Sequence, residues 1–313
     1  MSELPKISVV ICAYNPREDY LSRVLASLRD QTLDRTRFEI VLVDNASTAA
    51  LVTRFDLSWH PGARHVREEK LGLTNARLRG ISECGAELIV FVDDDNVLAS
   101  DYLEQVLSIS RDFPFLGVWG GSIEPEFESA PPKWVFSHLE KLAVRPTSQD
   151  RWSNAHDDWR STPVGAGMCV RMRVAQEYVR RTASSGVGIA LGRKGDDGLA
   201  AGDDSSISLT ALELGSGQGV FARLRLTHLI PASRLQEAYL LRITEGTHSS
   251  GVIVEHLHGL PSAPTQPKLA FALSCVSTFL KEGPRAVRFR ISMRRGRSKM
   301  LRKLAKRDHV HTI

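Results

Sequence analysis

Little in this 313-residue chain could serve as a covalent staple, a membrane span or a leader. Its four cysteines, Cys12, Cys84, Cys169 and Cys275, show no paired spacing, so a reducing, cytoplasmic setting is expected. The opening MSELPK lacks a charged start followed by an apolar stretch, and no signal peptide is expected. The apolar run LAFALSCVSTFL, residues 269–280, is twelve residues long. A spanning helix needs ~20. No internal repeat is evident. Acidic residues are nearly absent from 281–307, where Glu282 alone opposes twelve Lys or Arg, giving +11 in a chain whose total is +5. The remainder is therefore acidic, and the asymmetry concerns partners rather than fold. Phe289 is the single aromatic in that run, which disfavours nucleic acid, since single strands are gripped by stacking. An anionic membrane surface, reached by a helical or amphipathic extension at the inner face, fits better, with a plain solvated tail as the alternative.

What is present is a chain able to bury one large core, at 42% hydrophobic residues. ISVVICA, residues 7–13, reads as a buried strand stopped by Tyr14-Asn15-Pro16. Leu21, Val24, Leu25 and Leu28 recur at helical spacing, and a second apolar strand from Phe38 to Val43 runs into Asp44-Asn45-Ala46-Ser47. Strand, helix, strand is a βαβ unit, and in open α/β sheets ligands bind at the carboxyl ends of such strands. A third strand, IVFV, delivers Asp93, Asp94 and Asp95. Three adjacent carboxylates repel unless a cation or donors take up the charge. A divalent metal carrying a phosphorylated ligand does that; a solvated acidic turn or a set of helix caps, with Asp101 as a further cap before YLEQVL, is the alternative. Between the second and third strands, EKLGLTNARLRG reads as a loop entering a helix, with Asn75 and Arg77 in the loop and basic side chains on the route to the acidic site.

The ordered set SVVICAYNP, IVLVDNAS, GLTNARLRGI, FVDDDN, GAGMCVR and GDDSSIS resembles the family 2 glycosyltransferases of the GT-A fold over about residues 5–245. The resemblance implies an α/β, Rossmann-like mixed central sheet flanked by helices, here as residues 1–250, followed by a helical basic extension, 251–313. It implies a donor-nucleotide pocket from Ala13, Tyr14, Asn15 and Asp44, the aspartate near the base or ribose, with Asn75 among the donor-binding residues and Arg77 toward the diphosphate. Asp93, Asp94 and Asp95 match the DxD element, with Asp95 the first choice for Mn²⁺ or Mg²⁺ and Asp93 or Asp94 shared between metal and ribose. Asp204 matches the second acidic residue of the family's Glu-Asp motif and is the expected catalytic base, though the position also suits a helix cap. The first position is Asp203, shorter than the usual glutamate. His228 is a further candidate for the metal or diphosphate, or a packing residue, and Arg234 for the diphosphate, or a surface arginine. Gly165 to Met168 look like the family's strand lining the donor sugar, or a bulge; Trp134, Trp152 and Trp159 fall on the acceptor side or anchor loops. The implied reaction is inverting, metal-dependent sugar transfer from a nucleotide diphosphate sugar to a hydroxyl, in cell-surface polysaccharide or glycolipid synthesis. A nucleotidyltransferase of related fold and a non-enzymatic nucleotide-sugar-binding protein are the rivals.

Overall fold

The computed structural model describes residues 5–185, 202–262 and 264–310, with side chains to 305 at the C-terminal end. The first residues of the MSELPK reading and the last of the basic tail lie outside them. In chain order the elements are β1 (Ile7–Ala13), α1 (Glu18–Arg29), β2 (Phe38–Asn45), β3 (Ala63–Glu68), α2 (Leu73–Glu83), β4 (Leu88–Asp93), β5 (Asn96–Leu98), α3 (Tyr102–Asp112) and β6 (Leu116–Phe127). Then follow β7 (Arg151–Ser153), β8 (Cys169–Arg171), α4 (Met172–Ser185), α5 (Asp203–Glu213), β9 (Gly217–Ile230), α6 (Glu237–Leu257), α7 (Lys268–Glu282) and α8 (Pro284–Val310).

One nine-stranded mixed sheet runs in the order β3-β2-β1-β4-β8-β6-β9-β5, with β7 added alongside β9. Strands β3, β2, β1 and β4 are parallel, and β8 joins β4 antiparallel. Because β1 and β2 are buried on both faces they read as continuous apolar runs. Ile7, Val9 and Ile11 enter the core shared with Leu21, Val24 and Leu28 of α1 and Leu103 and Val106 of α3. Val10 faces the other way, with Val43, Phe91 and Ile207. Helix α2 lies close over that second face: a Cβ at Gly80 would stand 2.4 Å from Val10 Cγ1, so only glycine permits the approach. The chain reverses its winding between β1 and β4, which places a crevice at their carboxyl ends. In the paired register Cys12 lies opposite Asp93.

Three local expectations change. Asn75 and Arg77 lie within α2 rather than in the loop before it, because the helix begins at Leu73 directly after Gly72. Gly165 to Met168 form a turn leading into β8, not a strand. Asp101 occupies the N-cap position of α3 without a side-chain cap bond; its carboxylate accepts from Gln105 Nε2 at 3.0 Å instead. Helix α6 runs unbroken through residue 250, and α7 and α8 follow it. No helix among the described residues is long and apolar enough to cross a membrane.

One buried group makes this core acid-sensitive. His60 packs on Phe38 at 4.5 Å between ring centroids, and its Nδ1 accepts from the Gly62 N–H at 3.1 Å, which requires the neutral ring. Burial, helped by Arg35, pushes it from 6.5 down to about 4. A histidine held neutral contributes stability that is complete above its unfolded pKa and is lost as pH falls toward the folded one. Between neutral pH and about 4, wild type is expected to lose up to about 3 kcal/mol more unfolding free energy than His60→Gln in urea titrations.

Candidate active site

The β1–β4 crevice is lined by loops that the polypeptide fastens with side chains rather than with further strands. Asp44, at the end of β2, accepts from the Ser47 and Leu51 amides at 2.9 and 3.0 Å and from Arg67 Nη1 at 2.8 Å. Burial works against its charge, but these donors outweigh it and hold the carboxyl below the usual range. Asn15, in the left-handed region at φ 45°, donates its amide to Ser47 Oγ and accepts from the Thr48 amide. Ala13 is buried beneath these loops, and the Tyr14 ring is exposed. The four residues expected to form the nucleotide pocket are thus on one rim of the crevice. Arg67, which the sequence reading passed over, fixes the key carboxylate among them.

Across the crevice stands the acidic turn. Asp93 ends β4, and Asp94 and Asp95 form the turn into β5. Asp95 is buried; its Oδ2 accepts from Arg234 Nη1 at 2.7 Å, its Oδ1 from Asn96 Nδ2 at 3.0 Å, and His228 Nε2 lies 3.4 Å away. His228 sits inside β9, opposite Asn96 in the β5 pairing, and its buried Nδ1 has no hydrogen-bond partner in the structure. Burial and the adjacent Asp95 charge push Asp94 up to about 8. Arg234 remains charged because Asp95 outweighs the cost of its burial. Among the described residues no three His, Cys, Asp or Glu side chains converge as a ready metal cage. The donor chemistry nevertheless suits a hard divalent cation: three consecutive carboxylates stand at the turn with Arg234 on Asp95 and Arg77 4.0 Å from Asp93, and the buried His228 Nδ1 has no hydrogen-bond partner among the described residues.

Beneath the turn runs a buried ion network. The Arg77 guanidinium lies 4.0 Å from Asp93 and 3.7 Å from Asp203, against the Phe91 ring. Burial opposes its charge, but Asp203 and Asp93 outweigh that cost. Asp203, in the first turn of α5, accepts from Tyr178 OH at 2.7 Å and from Thr74 Oγ1 at 3.0 Å. Burial raises its pKa against the opposing pull of Arg77 and these two hydroxyls. Burial likewise pushes the Cys12 thiol, beside the same arginine, up to about 12. Asn75, two residues before Arg77 on α2, donates its side-chain amide to the Leu71 carbonyl one turn back at 3.2 Å.

Asp204 differs from its neighbour. Gly202, not either aspartate, is the N-cap of α5, so Asp204 belongs to the first helical turn and is only half-buried. Its Oδ2 accepts from the Gly165 amide at 3.2 Å and its Oδ1 from the Ser205 amide at 2.8 Å. A Cβ at Gly165 would lie 2.7 Å from Arg77 Nη2, so the glycine turn packs directly on the ion network. Two residues on, Ser206 Oγ and His258 Nε2 are 2.9 Å apart, and His258 Nδ1 lies 2.8 Å from Glu213 Oε1; these contacts tie the end of α6 to α5. Asp93, Arg77, Asp203, Gly165 and Asp204 therefore form one contiguous polar group at the switch point. Trp152 and Trp159 are exposed at the periphery, and Trp134 is covered by Arg285 at 4.4 Å. Thr74 and Tyr178 went unnoticed in the sequence; inside helical patterns neither carries a signal of its own.

The profile of glycosyl transferase family 2 matches residues 8–163, about half the chain. EpsH of Bacillus subtilis, named as a glycosyltransferase, is 32% identical over 112 residues, covering 35% of this chain and 32% of EpsH. The glycosyltransferase AglE of Haloferax volcanii is 28% identical over 110 residues, covering 34% of this chain and 36% of AglE. The matched stretch thus spans about a third of these relatives. The crystal structure of Staphylococcus aureus TarS 1–349 superposes with a TM-score of 0.52 at 13% identity, covering 95% of this chain and 92% of that one. At that identity the likeness concerns fold, and the fold is the GT-A arrangement.

Proposed function

This chain belongs to glycosyl transferase family 2, and from that premise we propose that it moves a sugar from a nucleotide diphosphate donor to a hydroxyl of a glycan or lipid-linked acceptor, with inversion. The observation that carries this reading is the half-buried Asp204 carboxylate, aimed by the amide of Gly165, a glycine that packs on the Arg77 guanidinium paired with Asp93 at the crevice. Asp204 takes the acceptor hydroxyl proton as that oxygen bonds to the anomeric carbon; the bond to the diphosphate breaks on the opposite side and its electrons leave with the nucleotide. Gly165 N–H keeps Asp204 oriented. Asp203 contributes from below, as a buried anchor for Arg77. Its short side chain suits that task, since Tyr178 and Thr74 reach it directly.

A divalent cation, Mn²⁺ or Mg²⁺, held by Asp95 with Asp93 and His228 would supply positive charge against the departing diphosphate. Arg234, already on Asp95, is placed to exchange that carboxylate for a phosphate oxygen as the donor enters. The base and ribose are received on the rim formed by Ala13, Tyr14, Asn15 and Asp44. TarS is named a poly(ribitol-phosphate) β-N-acetylglucosaminyltransferase and matches 102 residues here at 28% identity, which supports an acceptor in glycan synthesis.

Calorimetric titration with UDP, GDP and dTDP, in Mn²⁺ and then in EDTA, tests pocket and cation together. One diphosphate is expected to bind with metal, to lose affinity in EDTA, and to lose the metal-dependent part in Asp95→Ala. Absence of binding to all three by folded protein would reject the reading in favour of a non-enzymatic role.

A further inference from the structure

Helix α7 is amphipathic the wrong way round for a helix packed on its own protein. Its shoulder against α8 is formed by Phe271, Ser274, Cys275 and Thr278, largely small or polar, with Arg290 Nε donating to Ser274 Oγ at 3.0 Å and Arg294 over the Phe271 ring at 4.3 Å. Leu269, Leu273, Val276 and Leu280 repeat at helical spacing on the opposite side, where Leu269 is 73% and Leu280 is 78% exposed; Phe279 flanks them. No residue of α7 is buried. An apolar stripe of this extent facing solvent marks a surface that another phase or molecule covers.

The charge around it selects the occupant. Helix α8 presents Lys299 and Arg302 on one exposed face, beside Arg295, which pairs with Glu245 at 3.6 Å, within the 281–307 segment that carries +11. A second copy of this chain would bring the same basic segment against itself. An anionic lipid surface accepts the apolar stripe and attracts the positive charge of the neighbouring segment, and at fifteen residues α7 is too short to span it. We propose that α7 lies in the interface of an anionic lipid bilayer, Leu269, Leu273, Val276 and Leu280 inserted among the acyl chains, with the positive charge of the 281–307 segment drawing the helix to acidic headgroups. The site already described takes no part in this contact.

The test is flotation of the full chain with vesicles of phosphatidylcholine alone or mixed with phosphatidylglycerol. Binding is expected to the mixed vesicles only, and to weaken with added salt. Leu273→Glu/Leu280→Glu should lower vesicle affinity roughly tenfold or more with circular dichroism and melting temperature unchanged, since both side chains are exposed. Lys299→Glu/Arg302→Glu should remove the preference for the anionic lipid. Failure of wild type to float with either vesicle, or equal flotation of Leu273→Glu/Leu280→Glu, overturns the proposal. So does a wild-type dimer in light scattering that the leucine variant dissociates without any vesicle binding, which would assign α7 to self-association.

Discussion

Asp204→Asn is expected to bind the nucleotide diphosphate as wild type does and to lose sugar transfer by roughly 10²–10⁴-fold, the usual scale of a general base. The separation follows from geometry. Asparagine is isosteric, and its carbonyl oxygen can still accept from the Gly165 amide, which now donates to Asp204 Oδ2. The exposed Ser205 amide, which now donates to Asp204 Oδ1 at 2.8 Å, turns to water instead, so turn, helix and crevice keep their places while proton acceptance is lost. The measurement is single-turnover transfer across an acceptor panel beside calorimetric affinity for the diphosphate. Near wild-type transfer would remove Asp204 as the base. Weakened nucleotide affinity would instead assign it to the donor pocket.

Arg77→Met is expected to cost about 3–5 kcal/mol of stability, the range for stripping a buried ion network of one partner. Asp203 is 2% exposed, and without the guanidinium its charge is left to two hydroxyl donors, Tyr178 and Thr74. Asp93 loses the same cation but is partly open to water, so the larger penalty falls on Asp203. Pairing Arg77→Met with Asp203→Asn should recover most of the loss, because the amide can still accept from Tyr178 and carries no charge to bury. Urea denaturation of the two variants and wild type decides the matter. Equal stability of Arg77→Met and wild type would show that the network carries no load.

These two residues also mark how far the sequence could be followed. The strands were legible because β1, β2 and β4 are covered on both faces and therefore appear as uninterrupted apolar runs. The aspartates after β4 were legible because adjacent carboxylates demand an explanation wherever they stand. Arg77 was visible as a basic residue near the site but not as a buried one. Its burial depends on Asp203, 126 positions later, and on a glycine turn whose spelling reads equally well as a strand. The clasp of Arg234 on Asp95 spans 139 positions and arises only when β9 pairs with β5. Pairings of that reach leave no periodicity in a single chain. The outward face of α7 is a related case: its helical spacing is plain in the letters, while the direction it faces is set by α8.

Helix α6 starts just after the segment bearing Arg234 and ends where His258 meets Ser206 on α5. At 21 residues it is a rod of about 31 Å, one end beside the acidic turn and the other beside the helix that carries Asp204. The rod is a gauge for the spacing of the two halves of the crevice. One residue inserted at its middle would lengthen it by about 1.5 Å and turn its far end by roughly 100°, swinging His258 off Ser206 while leaving Arg234 on Asp95. Substitutions along α6 can thus be neutral where insertions are not, and this family member should tolerate changes of letter there far better than changes of length.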